Sequence, residues 1–473
     1  MKMLIAGRWI DKSEKIEVRN PYDNSLVDTV PRGNAEDVNA AVAAAVTGYG
    51  ENRNLPVHRR IEILSGVARY IKTQFNDFAQ TIATEGSKTI REARKEVSRC
   101  INTITLSAEE ARRIVGETIS FDSVPGSENR TGYYYRFPIG VIAAITPFND
   151  PLNLVAHKLG PAIAGGNSIV LKPATVTPLS ALKLAAAFME SGLPPHVLNV
   201  VTGFGGEIGE ALVSDSRVRM VTFTGGVEAG LEITKIAGLK KIGMELGSNS
   251  PVIVLNDSDL NKAVESCVSG AFWAAGQNCI GVQRIYIQRQ IYAAFEKAFV
   301  ARTRKIKTGF QLDEKTDMGP MITEKEAERV ERWIRDAAER GAAVLTGGHR
   351  TGTLVEPTVL ANVPPKAKIS CREIFGPVVA LYSVENLDEA IEKANNVNYG
   401  LHGAIFTRDL NKAHKAIREL DVGGIMINDS TDYRIDAMPF GGVKQSGLGR
   451  EGIKFAIQEM TEPKVVCFNL EEA

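Results

Sequence analysis

The sequence predicts an α/β protein with two doubly wound domains, on three observations. Its 473 residues exceed what one hydrophobic core organises, so two or three domains are expected. From residue 139 short β-rich apolar runs alternate with helical ones, the signature of a parallel sheet wound with helices. After residue 250 a second alternation of the same kind begins.

In chain order, residues 57–117 carry a helical period, in VHRRIEILSGVARYIKTQF and IREARKEVSRCINTITLSAEEARRI. The first alternation reads IGVIAAITP, HKLGPAIAGG, SIVLK, SALKLAAAFMESG, VLNVVTG, EIGEALVS and VRMVTFTGG. Its strands are continuous apolar runs because a parallel sheet is covered on both faces. The second reads PVIVLN, a helix to about residue 276, RIYIQ, a helix to about residue 306, then AAVLTGG, LDEAIEKANN, HGAIFT, NKAHKAIREL and GGIMIN. The crossing between the two falls at 247–250. TGYYYRFP (131–138) and PKVVCFNL (463–470) fit neither core, and read as edge strands that are either ordinary or free to pair between subunits.

Composition excludes several classes of function. Lys+Arg 56 balance Asp+Glu 56, so no global field draws nucleic acid or an anionic membrane. The N-terminus lacks the apolar core of a signal peptide, and no stretch reaches the roughly 18 apolar residues of a membrane span. The five cysteines are odd in number and scattered, as in a chain kept reduced in a cytoplasm. The six histidines lack ligand spacing, so no metal site is expected.

Ligands of open α/β sheets bind beyond the carboxyl ends of the strands, which directs attention to ITPFND (145–150), VLKPAT (170–175), VVTGFGG (200–206) and VTFTGG (221–226). The glycine-rich turns at Gly205 and at Gly225–Gly226 can each offer backbone N–H groups to a pyrophosphate, or can simply be tight turns. Glu245, in KIGMELGSNSP, is either a hinge-satisfying acceptor or a general base facing a cleft. Asn149 is either an Asx-turn residue or an amide donor aimed at developing charge. Lys172 is a solvated strand end or a phosphate or ribose contact. Cys279, between Gly276 and Gly281 in GQNCIGVQR, is core filling or a nucleophile, and Cys267 in the preceding run is the better core cysteine.

Together these stretches resemble the aldehyde dehydrogenase superfamily. PFN, LKPA, FTGG, MELG, GQNC, EIFGPV and PFGGVKQSG occur in that family's order, and the likeness runs from NPYDNSLV to PFGGVKQSGLGREG, with the family's usual interval between Glu245 and Cys279. The resemblance implies a cofactor-binding domain (1–116 and 138–247), a catalytic domain (248–455) and a small β oligomerisation unit (117–137 and 456–473) joining a homodimer or homotetramer. It implies that Cys279 attacks the aldehyde, that Asn149 and the Cys279 N–H stabilise the oxyanion, and that Glu245 is the base. A free thiol near pKa 8.5 needs either a base or a lowered pKa to act. Members that pass the acyl group to coenzyme A lack this glutamate, so hydrolysis to a free carboxylate is expected.

The resemblance further implies that Lys172 holds the adenosine ribose of NAD or NADP. Glu373 and Phe375 would position the nicotinamide ribose and ring, and Pro147, Phe148, Gly205, Gly225 and Gly226 would complete the cofactor site. Thr175 stands where many NAD-preferring relatives carry glutamate, which implies a lean toward NADP. For the aldehyde, Asp150, His157 and Asn278 disfavour a greasy tunnel, while Arg99 and Arg434 suit an anion unless they merely pair with Asp150 and Asp432. Lactaldehyde, glyceraldehyde or sulfolactaldehyde are the favoured substrates. Non-phosphorylating oxidation of glyceraldehyde 3-phosphate, oxidation of succinate semialdehyde, and a catalytically silent structural homologue are the alternatives.

Overall fold

The chain opens on a hairpin of β1 (Met3–Ile5) and β2 (Arg8–Ile10) in the computed structural model, which describes residues 1–470. The amphipathic run that follows folds into four helices, α1 (Ala35–Arg53), α2 (Val57–Thr73), α3 (Phe75–Glu85) and α4 (Ile90–Ala111). Thr89 and Glu92 form a capping box that fixes where α4 begins. After β3 (Glu117–Ile119) and β4 (Arg130–Pro138) the first alternation appears: β5 (Val141–Ile145), α5 (Asn153–Ala164), β6 (Ser168–Lys172), α6 (Leu179–Glu190), β7 (Leu198–Val200), α7 (Gly205–Ser214), β8 (Val218–Thr224), α8 (Val227–Ile236) and β9 (Lys241–Glu245).

The second alternation supplies β10 (Ser250–Val254), α9 (Leu260–Phe272), β11 (Val282–Gln288), α10 (Arg289–Thr303), β12 (Ala343–Thr346), β13 (Thr358–Ala361), β14 (Val378–Val384), β15 (His402–Phe406) and β16 (Gly424–Ile427). Two strands end the chain, β17 (Gly447–Leu448) and β18 (Thr461–Asn469), with α11 (Ile453–Glu459) between them. The mixed α/β fold is the predicted one.

The first sheet has eight strands in the order β2-β1-β7-β6-β5-β8-β9-β17. Its parallel strands are β7-β6-β5-β8-β9, and the winding reverses between β5 and β8, where Ile145 pairs with Phe223. That reversal opens a crevice beyond the carboxyl ends of the two strands. Alternate residues of β5 serve opposite faces. Ile142 and Ala144 join a core formed with α2 to α6, and Val141 and Ala143 join one formed with α1, α7 and α8. The second sheet runs β12-β13-β14-β11-β10-β15-β16 and is parallel except at β12.

The two edge-like segments pair with each other. β18 runs antiparallel to β4 from Thr461↔Pro138 to Asn469↔Arg130, and β3 lies on the far side of β4. Residues 456–460, grouped by sequence with these strands, lie in and just after α11, and Ile457 and Met460 enter the first core. Leu448 and Gly447 pair with Met244 and Glu245, so the glycine-rich stretch before α11 rejoins the first sheet. Such a stretch carries no period that sequence can read. Residues 471–473 of the expected unit lie outside the described residues.

Arg284 fastens the segment that leads into β10, where the first alternation gives way to the second. Only 2% exposed, it donates to the Asn249 carbonyl and Oδ1, to Tyr286 Oη, and to the carbonyls of Lys393 and Ala394. Removing the guanidinium takes a buried donor from Asn249 and from the Ala394 carbonyl, while the Lys393 carbonyl keeps only the Tyr286 hydroxyl. Arg284→Leu is expected to destabilise the fold by about 3 kcal/mol, seen in calorimetry as a melting temperature several degrees lower.

Candidate active site

Cys279 reaches the crevice because α9 stops early. The apolar run ahead of it reads as helix to about residue 276, but α9 ends at Phe272, and Ala274, Ala275 and Gly276 then take left-handed φ angles of 50°, 55° and 69°. Alanine in that region is strained, so the surroundings must impose the turn. The Ala274 N–H donates to Glu92 Oε1 at 2.9 Å, tying the turn to α4. Gln277 donates to Ser87 Oγ and accepts from the Ile322 N–H, each at 2.9 Å. A Cβ on Gly276 would lie 2.1 Å from the Gly376 carbonyl, so only glycine fits.

Three groups converge where the turn ends. Glu245 closes β9, buried, with Oε2 bonded to nothing. Asn149 follows β5, half-buried, and its side-chain amide bonds to no group among the described residues. Both line, together with Cys279, the two cavities that meet at this point, one of about 240 Å³ and one of about 580 Å³. The Thr224 hydroxyl, also without a partner, lines both.

The larger cavity is walled by Pro147, Phe148, Gly225, Gly226, Glu373 and Phe375, all expected from sequence. Phe148 and Phe375 meet edge to face, their centroids 5.7 Å apart. Glu373 accepts from the Ser248 N–H at 2.9 Å, and burial raises its carboxyl to about 7 against that bond. Lys172, Thr175 and Gly205 lie outside this cavity, one and two strands further along the same sheet edge. Lys172 donates to the Pro173 carbonyl, and burial lowers its amine to about 8. Thr175 donates to the Gly203 carbonyl at 3.0 Å.

The smaller cavity takes Arg99, Asp150, Asn278 and Arg434, as expected. Asp150 is held by Lys88, in a short contact, and by Arg99 at 3.6 Å. Arg434 does not pair with Asp432. It donates to Glu451 at 3.1 Å and lies over the Phe440 ring. His157 is not a wall of the cavity. Every residue of α5 is buried, and the imidazole sits beneath the floor, 2.9 Å from Asp436, which also accepts from Arg99 at 2.9 Å.

Sequence reasoning missed Lys88, Lys95, Asp432 and Glu451. Each is a single charged residue that neither a helical period nor a motif marks as facing a cavity, and its relation to the cavity exists only in three dimensions. Glu451 is itself quoted within GLGREG, but nothing there marks it as a neighbour of Glu245.

The electrostatics favour protons on the reactive groups. Burial pushes the Cys279 thiol up to about 12, opposed by Arg434 and reinforced by Glu373, Glu245 and Glu451. Burial, then the charge of Glu451, raises Glu245 well above the usual carboxylate range. Glu451 is itself buried, but Lys158 and Arg434 outweigh that and hold it ionised, so the proton of the pair resides on Glu245.

This architecture, a crevice at the reversal of a wound sheet with a cysteine at the junction of two cavities, is that of an oxidoreductase. The chain belongs to the aldehyde dehydrogenase family, whose model matches residues 9–466. It is 51% identical over 455 residues to aspartate-semialdehyde dehydrogenase 1 of Pseudomonas canavaninivorans, covering 96% of this chain and 97% of that one. It is 48% identical over 468 residues to 3-sulfolactaldehyde dehydrogenase of Priestia aryabhattai, covering 99% and 98%. Among solved structures, glyceraldehyde-3-phosphate dehydrogenase GapN of Methanocaldococcus jannaschii complexed with NADP superposes with a TM-score of 0.94 at 40% identity, covering 97% and 100%. No helix of the described residues is long and apolar enough to cross a membrane.

A protonated resting thiol has a direct consequence. In cofactor-free protein, iodoacetamide is expected to modify Cys279 slowly at pH 7, about tenfold faster for each pH unit up to pH 9. Peptide mass spectrometry reads this, and a rate flat over that range would indicate a standing thiolate.

Proposed function

We propose that the protein oxidises a short polar or anionic aldehyde to its free carboxylic acid through Cys279, with NAD or NADP as acceptor. The observation that carries this is the meeting of Asn149, Glu245 and Cys279 at the junction of two cavities of unequal size. A nicotinamide dinucleotide suits the larger one. Gly225 and Gly226 precede the N-terminus of α8, where backbone N–H groups face an anion, and the aromatic pair and buried Glu373 stand ready for a ring and a ribose.

Glu245, once ionised, takes the thiol proton, and the Cys279 sulfur bonds to the aldehyde carbon. The Asn149 amide and the Cys279 N–H then stabilise the oxygen as it gains charge, each such donor contributing roughly 10²- to 10³-fold in rate. Phe148, Glu373 and Phe375 would hold a nicotinamide beside this carbon, which would supply the hydride acceptor needed for Cys279 to be left as a thioester. Glu245 releases the thiol proton to solvent and, ionised again, takes a proton from a water whose oxygen bonds to the thioester carbonyl carbon. The carbon–sulfur bond breaks, the acid departs, and Glu245 returns that second proton to sulfur.

The aldehyde is short, because about 240 Å³ lies below the roughly 300–1,000 Å³ of pockets for larger ligands. Lactaldehyde, glyceraldehyde and sulfolactaldehyde fit that size, and Arg99 favours a member with an anionic end. The names of two relatives, 3-sulfolactaldehyde and aspartate-semialdehyde dehydrogenase, point the same way. Thr175 brings no carboxylate toward a 2′-phosphate and Lys172 brings a cation, which supports NADP at least as well as NAD. The exposed Tyr135, Phe137, Val465 and Phe468 on the β4–β18 sheet suit pairing with further copies of the chain.

Glu245→Gln tests the chemistry. It is expected to slow both the first equivalent of reduced cofactor at 340 nm and the turnover that follows, each by about a hundredfold at pH 7, and the first phase is expected to recover as pH rises toward 9 while turnover does not, with acyl-Cys279 then visible by mass spectrometry. A fast first equivalent at pH 7 would confine Glu245 to the hydrolysis of the thioester, and undiminished turnover would remove it from the mechanism. Arg99→Ala is expected to raise KM about tenfold for an anionic aldehyde and little for a neutral one. Equal effects on both would take Arg99 out of substrate binding.

A further inference from the structure

We infer that the loop joining α3 to α4 aligns the two oxyanion donors, Lys88 holding Asn149 through Asp150 and Ser87 holding Cys279 through Gln277. This rests on the dehydrogenase reading above, in which the Asn149 amide and the Cys279 N–H share one oxygen.

Asn149 is poorly held by its own segment. The last backbone bond before it runs from the Thr146 N–H to the Lys172 carbonyl at 3.2 Å, and Pro147, Phe148 and Asn149 form no hydrogen bond among the described residues. The chain is fixed again one residue later. Asp150 accepts from the Lys88 ammonium in a short contact, and its carbonyl accepts from the Leu154 N–H at 3.1 Å. Arg99 stands 3.6 Å from the other Asp150 oxygen, beyond hydrogen-bond distance, so Lys88 is the tether.

Lys88 is itself anchored. It is 3% exposed and also donates to Glu96 Oε2 at 2.8 Å. The other oxygen of Glu96 accepts from the Leu152 and Asn153 N–H groups at 2.8 and 3.0 Å. A buried ammonium and a buried carboxylate thus grip positions 150, 152 and 153, and the backbone they fix directs the Asn149 side chain.

The residue before Lys88 serves the other donor. The Ser87 hydroxyl accepts from Gln277 Nε2 at 2.9 Å, and Gln277, wholly buried, lies two residues before Cys279. The loop that carries both residues is pinned by the Ile90 N–H on the Gln311 carbonyl at 2.8 Å and by the capping box of Thr89 and Glu92.

Asn149 follows a strand of the first sheet and Cys279 precedes a strand of the second, so no single element sets their separation. An oxyanion needs both donors at about 2.7–3.1 Å, a tolerance of roughly 0.5 Å in their placement. Adjacent residues supply a fixed gauge, because consecutive Cα atoms lie about 3.8 Å apart. The charge on Lys88 makes its bond to Asp150 stronger than a neutral one.

The test is the rate of the first equivalent of reduced cofactor at 340 nm with saturating glyceraldehyde, a neutral substrate. Asn149→Ala is expected to slow it by about 10²- to 10³-fold. Asp150→Ala leaves the Lys88–Glu96 pair intact and is expected to slow it about thirtyfold, while KM for the aldehyde changes by less than about threefold. Asp150→Asn, whose amide oxygen still accepts from Lys88, should recover most of that rate. In the Asn149→Ala background Asp150→Ala is expected to cost less than about twofold further, since a positioning residue acts only through the group it positions. Ser87→Ala, which removes one hydroxyl and no charge, should slow the first equivalent about fivefold at unchanged KM. An unchanged rate in either Asp150→Ala or Ser87→Ala, an effect confined to KM, or an equal loss from Asp150→Ala with and without Asn149 overturns the inference and leaves the dehydrogenase reading standing. A full rate in Asn149→Ala removes that amide from the oxyanion, and the inference with it. A wild type that oxidises none of glyceraldehyde, lactaldehyde and sulfolactaldehyde removes both readings.

Discussion

The left-handed turn at Ala274–Gly276 is the constraint on which the site depends. Two non-glycine residues in that conformation cost on the order of 1–3 kcal/mol each, and nothing in their own side chains offsets it. The compensation comes from outside the turn, in the buried bonds of Glu92 and Gln277 and in the fit of Gly276 against the Gly376 carbonyl. Without the turn α9 would continue along its axis and carry Cys279 away from the crevice. With it, a residue from between two strands of the second sheet arrives at the carboxyl edge of the first, lining the same cavities as Asn149 and Glu245. The neighbouring Phe375, also at positive φ, follows from the same close approach of the two backbones.

That placement has an electrostatic price, since thiol and carboxylate are brought together in a buried crevice beside a second carboxylate. Coulomb repulsion at low dielectric is large, and the protein answers by sharing protons as well as by adding cations. Arg434 and Lys158 neutralise Glu451, while Glu245 keeps its proton. The reactive groups are therefore held in their neutral forms at rest. In the proposed reaction the charge on sulfur develops only when an aldehyde is present to receive it, which limits exposure of a thiolate to adventitious oxidants.

Much of this was legible in the sequence, for identifiable reasons. Strands buried on both faces give unbroken apolar runs, so both sheets stood out, and Cys279, Glu245 and Asn149 each end such a run or its following turn. The turn itself was hidden, because Ala274 and Ala275 are strong helix formers and read as a continuation of α9. His157 is misplaced for a related cause: the family resemblance puts its position on the tunnel wall, but the wholly buried α5 turns it toward Asp436, far along the chain. Lys88 and Glu451 carried no signal because their partners, Asp150 and Lys158, are 62 and 293 residues distant in sequence.

Much of the long-range wiring converges on one helix. Along a single face of α4, Glu92 holds the turn that positions Cys279 and Glu96 accepts from the Leu152 and Asn153 N–H groups at the start of α5, just beyond Asn149. Lys95 and Arg99, on the same face, line the smaller cavity. The placement of Cys279, the loop bearing Asn149 and two of the cations around the smaller cavity are thus set by residues three and four apart on a rigid element. Positions 92 and 96 are buried and bonded to backbone, so a change there disturbs the chemistry itself. Lys95 is exposed and can vary without moving the turn or α5, whereas Arg99 donates to Asp436, which also accepts from Asn153 and contacts His157 of α5. A helix divided in this way lets the exposed position change while Cys279 and Asn149 stay fixed, because Lys95 shares an axis with Glu92 and Glu96 but joins no hydrogen bond to them, whereas Arg99 is tied to Glu96 through Asp150 and Lys88.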